Sequence, residues 1–131
     1  MIPYTTVDRS AFPLVVVTFT GAAATSENFQ AYLDELEENY ASRTPFALVF
    51  DASKASIPGL SYQKKQAAWM KAHEELIRTY CRGVAYVLPN PLLRQVLSLI
   101  SKLQAQPVPF RVWADREAAI AWARTQLKAT S

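Results

Sequence analysis

The sequence predicts a single α/β domain over residues 1–131, ordered ββαβαβαβα, with a mixed, mostly parallel sheet packed with helices. Three observations lead there. "FALVF" (Phe46–Phe50) and "GVAYVL" (Gly83–Leu88) are continuous apolar runs, as expected of strands covered on both faces. The segments between the strands carry apolar residues at helical spacing, so strands alternate with helices and lie parallel. The first two strands are too close for a crossover, so they are expected to pair as an antiparallel hairpin.

The hairpin joins Tyr4–Arg9 to "PLVVVTFTG" (Pro13–Gly21) through "SAF". The second strand is β-branched and aromatic and stops at Gly21. "TSENFQAYLDELEENYASR" then reads as a helix capped by Thr25 or Ser26. Phe29, Tyr32, Leu33, Leu36 and Tyr40 form one apolar face of it, and the acids take the other. After Phe46–Phe50, Pro58 and Gly59 suggest a type II turn. A helix is expected over Ser61–Arg82, with Ser61 as N-cap and Trp69, His73, Leu76, Ile77 and Tyr80 inward. Following Gly83–Leu88, Asn90 and Pro91 signal a helix start, continuing to Leu103. "FRVW" (Phe110–Trp113) is a last strand, and Asp115 caps a final helix to about Leu127.

Composition excludes several classes. Of the 131 residues, 50% are hydrophobic and 19% charged, which suits a globular chain and not a disordered one. The net charge of +3 lacks the dense basic footprint of a nucleic-acid binder. Cys81 is the only cysteine, so an internal disulfide is impossible. No signal peptide or membrane span is evident, and a cytoplasmic setting is expected.

The residue set is poor in chemistry. His73 is the only histidine and has no Cys or second His to complete a dyad. Three scattered glycines, Gly21, Gly59 and Gly83, build no phosphate loop. No catalytic residue, metal site or cofactor is expected, and the chain reads as a non-enzyme. Lys64, Lys71 and Arg78, seven apart, fall near one outward line of the predicted second helix, with Lys65 beside it and Glu74 spaced to pair with Arg78. That line reads as a solvated face or a surface for an acidic partner, including the first helix of another copy.

In the third helix, Leu92, Leu99 and Leu103 exceed what one sheet-facing stripe needs. They are either a partner, dimer or ligand surface or are covered by neighbouring helices. The expected contact surface joins them to Ser53, Ser56, Ser61, Lys64 and Lys65. It would serve a protein partner, self-association as a homodimer, or both. The alternative is a lipid- or nucleotide-binding domain with an apolar pocket lined by Trp69, His73, Tyr80 and the third helix.

Three stretches resemble the STAS-like (SpoIIAA-like, anti-sigma-factor-antagonist-like) domains of bacteria: "FALVFDAS", "RGVAYVLPNPLLRQVLSLISKL" and "PFRVWADREAAIAWARTQL". The resemblance covers Phe46 to Leu127 and implies a mixed sheet with helices and a regulatory, partner-binding role. In switch members a serine in an Asp-Ser-Ser-Gly element at a helix N-terminus is phosphorylated, where free N–H groups favour the phosphate. Here that element falls on "GLSY", Gly59–Tyr62. The acceptor position is Leu60, Ser61 lies one place later, and the preceding Asp is missing. Ser61 therefore reads first as a helix cap and second as a possible phosphosite; Ser53 and Ser56 are further candidates.

Overall fold

Residue alternation along five strands sorts side chains onto two faces of one sheet, each face covered by helices. The computed structural model of the chain describes residues 1–91 and 108–129. β1 (Thr5–Asp8), β2 (Leu14–Phe19), β3 (Phe46–Asp51), β4 (Cys81–Val87) and β5 (Phe110–Trp113) lie in the order β1-β2-β3-β4-β5. β1 and β2 are antiparallel, and the remaining neighbours are parallel, as the hairpin-then-crossover reading expects. The described helices are α1 (Ser26–Glu38), α2 (Leu60–Ala72), α3 (Glu74–Tyr80) and α4 (Arg116–Ala129).

Val15 and Val17 of β2 and Leu48 and Phe50 of β3 point to one face. There they meet Phe29, Tyr32, Leu33 and Leu36 of α1 and Ile77 of α3. Each fully buried side chain of this size contributes roughly 1.5–3 kcal/mol. Leu14, Val16, Ala47, Val49, Ala85 and Val87 point the other way, onto Ala119 and Ala123 of α4. Small residues let α4 approach closely. A Cβ on Gly83 of β4 would lie 2.9 Å from Cγ of Gln126, so the glycine is required by that contact.

The predicted apolar face of α1 is buried in full, including Tyr40 beyond its end. Thr25 is the cap: its hydroxyl accepts from the Asn28 N–H (3.1 Å), while Asn28 Oδ1 accepts from the Thr25 N–H (2.7 Å). Asp115 caps α4 as expected, accepting from the Ala118 N–H at 3.0 Å.

Four expectations are corrected. The single helix over Ser61–Arg82 is divided at His73, whose backbone (φ −105°, ψ 13°) leaves helical geometry. No proline or glycine marks the break. The His73 ring instead reaches the Trp69 carbonyl through Nδ1 (2.8 Å) and Glu37 of α1 through Nε2 (2.8 Å). Pro58-Gly59 is not a type II turn, because Gly59 sits at φ −60° and ψ 161°, the extended geometry of an N-cap. Ser61 therefore lies one position inside α2 and does not cap it, and Gly59 provides no side-chain cap. Finally, β4 begins at Cys81, two residues early, because an extra residue bulges between the pairs Phe46–Cys81 and Leu48–Val84. That bulge lets Cys81 and Val84 face the same core cluster. Pro91 is helical, but Leu92, Leu99 and Leu103 lie outside the described residues.

Candidate partner-binding site

The loop between β3 and α2 is anchored on its inner side. Asp51, the last residue of β3, accepts hydrogen bonds from the Ser53 hydroxyl (2.6 Å) and the Ser53 N–H (3.1 Å). Its other oxygen accepts from Nη1 of Arg116 (2.7 Å), at the start of α4. Burial pushes the Asp51 carboxyl up, but the two Ser53 bonds and the Arg116 guanidinium outweigh it and hold the group below its ordinary value. The chain then turns, with the Ala55 N–H on the Ala52 carbonyl at 3.1 Å. Nε2 of Gln63 donates to the Pro58 carbonyl (2.8 Å) and pins the entry to α2. Beneath the loop, Gly21 ends β2 at φ 90°, and a Cβ there would stand 3.2 Å from the Lys54 carbonyl.

The outer side of this anchored loop is unusual. Ile57 is 53% exposed and Leu60 65% exposed, within a segment that also presents Ser53, Lys54, Ser56, Ser61, Lys64 and Lys65 to solvent. Large apolar side chains held outward by a fixed loop form the anchor type that protein interfaces use. The Lys65 ammonium lies 5.9 Å from the centroid of the Tyr62 ring, and Tyr62 packs on Phe29 of α1.

Ser53, Ser56, Ser61, Lys64 and Lys65 are all exposed along the β3–α2 loop and the first turns of α2. The serines are not equivalent, because the Ser53 hydroxyl is engaged by Asp51. Ile57 and Leu60 fall within the stretch Ser53–Ser61 of the expected contact surface, but the sequence reading singles out its serines and not these two. Their signal was present in "SIPGLS", two aliphatic residues in a Ser/Pro/Gly connection with no strand or helix face to fill. Arg116 carried no local signal, being 65 positions from Asp51.

The three proposed pocket residues meet partners within the fold. Trp69 stacks on His73 with centroids 4.2 Å apart, and Trp69 and Tyr80 pack against the main core cluster. Both His73 nitrogens are hydrogen-bonded to acceptors, as above. The basic line is interrupted at the same place: Lys64 and Lys71 share α2, while Arg78 belongs to α3 and pairs with Glu74 at 2.7 Å. The Cys81 thiol is buried and pushed up to about 12 by that burial, which suits a packing role. Among the described residues, no three His, Cys, Asp or Glu side chains converge, and no helix is long and apolar enough to cross a membrane.

No protein-family model and no curated protein sequence matches the chain. Solved structures do match in fold. An uncharacterized protein of the DUF3478 family with a SpoIIAA-like fold, from Shewanella loihica PV-4, aligns with TM-score 0.68 and 16% identity over 91% of each chain. An anti-sigma factor antagonist from Mycobacterium paratuberculosis aligns with TM-score 0.56 and 20% identity over 92% of each chain. The chain has the SpoIIAA-like α/β fold, in agreement with the resemblance carried by its sequence.

Proposed function

We propose that this chain is a non-catalytic regulatory domain of the bacterial cytoplasm that binds a protein partner through the β3–α2 loop and the first half of α2. The observation that carries the reading is the exposure of Ile57 (53%) on the β3–α2 loop and of Leu60 (65%) at the first position of α2, next to a loop start held by Asp51, Ser53 and Arg116. Rigid backing lowers the ordering cost of binding, the two apolar groups supply buried area, and Lys54, Lys64 and Lys65 steer an acidic surface. An anti-sigma factor antagonist shares the fold, which supports a regulatory protein-binding role. Ser56 and Ser61 border the same surface, so a phosphate on either would change its charge where the partner docks.

The test is co-purification from native cells of the tagged chain and its Ile57→Asp/Leu60→Asp variant, compared by quantitative mass spectrometry. A partner held through this loop is recovered at least about tenfold less by the variant, while the two proteins unfold at the same temperature. Equal recovery of every enriched protein by both forms would overturn the assignment.

A further inference from the structure

α1 and α2 lie side by side on one face of the sheet, joined by the Phe29–Tyr62 ring contact (5.1 Å) and the Glu37–His73 pair (2.8 Å). They run in the same direction, because each carries the chain back from the end of one strand toward the start of the next parallel one. Their charges are segregated. α1 holds Glu27, Asp34, Glu35, Glu37 and Glu38 with no Lys or Arg, and α2 holds Lys64, Lys65 and Lys71 with no Asp or Glu.

Helical geometry turns this segregation into two outward lines. With Asn28, Phe29, Tyr32, Leu33 and Leu36 buried, Glu27, Asp34 and Glu38 fall on the opposite side of α1, and all three are exposed. With Tyr62, Gln66 and Trp69 turned partly inward, Leu60, Lys64, Ala68 and Lys71 line the outer side of α2, all exposed. Glu35 and Glu37 sit on the flanks of α1 and are already paired, with Arg9 at 3.0 Å and His73 at 2.8 Å. Among the described residues, none of Glu27, Asp34, Glu38, Lys64 or Lys71 is in an ion pair.

We propose that this α1–α2 face is a two-fold interface between two copies of the chain. A two-fold rotation about an axis that lies in the interface, along the helix direction, sets the acidic line of each copy against the basic line of the other, so one patch satisfies itself twice. The acidic line from Glu27 to Glu38 spans about 16 Å, and Lys64 and Lys71 stand about 10 Å apart on the outer line of α2, at 1.5 Å rise per residue. The shorter basic span falls within the length of the acidic one, so both lysines have an acid within reach along the contact. A uniformly acidic occupant, such as a nucleic acid or an anionic membrane, would be repelled by α1, and a uniformly basic one by α2. The face requires an occupant with both signs side by side, and the second copy carries that pattern. Leu60 and Ala68 supply the apolar part. Exposed charge contributes orientation and salt sensitivity more than affinity, so the dimer is weak and electrolyte-dependent.

This proposal shares Leu60 and Lys64 with the partner-binding reading but does not rest on it: a monomeric chain would overturn it and leave Ile57 and Leu60 as a contact for another protein. The test is sedimentation equilibrium of the full chain at about 50 and about 500 mM salt. The expected result is a dimer whose dissociation constant rises at least about tenfold between the two. Lys64→Glu/Lys71→Glu and, separately, Asp34→Lys/Glu38→Lys are each expected to be monomeric. An equimolar mixture of the two forms a heterodimer, because reversed α2 faces reversed α1 at one contact and unchanged α1 faces unchanged α2 at the other. Lys64→Ala/Lys71→Ala, a milder change, weakens the dimer without repulsion, and circular dichroism verifies that each variant is folded. A wild-type chain monomeric at about 100 micromolar in low salt overturns the proposal. So does a dimer indifferent to both reversals, or a folded pair of variants that does not recombine.

Discussion

At the scale of single residues, Asp51 illustrates how a buried charge is made tolerable. It is the only buried acidic or basic side chain among the described residues, and Ser53 and Arg116 satisfy its oxygens from two directions. Because its folded-state carboxyl is held below the ordinary value, the contribution to stability is present above about pH 4. It is lost as pH falls through the depressed value. Asp51→Asn is therefore expected to cost about 1–3 kcal/mol at neutral pH. The gap to wild type should close in acid, where wild-type Asp51 also becomes neutral. Urea denaturation of both proteins at about pH 7 and about pH 3 checks this; a gap of the same size at both would contradict the account. The position of Asp51 at a strand end was legible in "FALVFD", but its partner was not. An ion pair between positions 65 apart leaves no periodic or local trace in a chain.

At the scale of elements, legibility follows burial. α1 buries a full stripe, so its spacing betrayed it, and its cap followed from ordinary N-terminal chemistry. α2 has no fully buried residue, and its apolar pattern is correspondingly weak. Its end at His73 depends on a contact to α1 that no breaker residue announces. The two helix starts also differ in a testable way. Thr25→Ala removes a satisfied capping box and is expected to lower stability by about 0.5–2 kcal/mol. Gly59→Asp has the opposite sign. Gly59 already holds extended geometry open to any residue, and an added Cβ meets only Tyr62 at 4.0 Å. A carboxylate there supplies the missing cap, for a gain of a few tenths to about 1 kcal/mol. Thermal unfolding of the two variants would show shifts in opposite directions, and a destabilised Gly59→Asp would mean the α2 entry is not an open N-cap.

At the scale of the whole molecule, stability is graded across the sheet. β3 is buried at all six positions in the centre of five strands, whereas α2 rests on the outside with its side chains partly or fully in water. Hydrogen exchange is expected to be slowest in β3 and fastest, among the helices described, in α2, the order set by burial and local contact density. Equal protection of α2 and α1 would show that α2 is more firmly held than its burial implies. The surface proposed for partner binding thus lies at the less stable margin of the fold. Legible in the linear chain were the α/β class, the hairpin, the succession of strands and helices, the face of α1 and the cap of α4. All of these follow from local periodicity and capping, which a linear chain records. The tertiary structure alone decided the break at His73, the lock between Asp51 and Arg116, the outward set of Ile57 and Leu60, and the juxtaposition of an acidic with a basic helix. Each depends on which distant residues the sheet brings within a few ångströms, and sequence separation does not encode that distance.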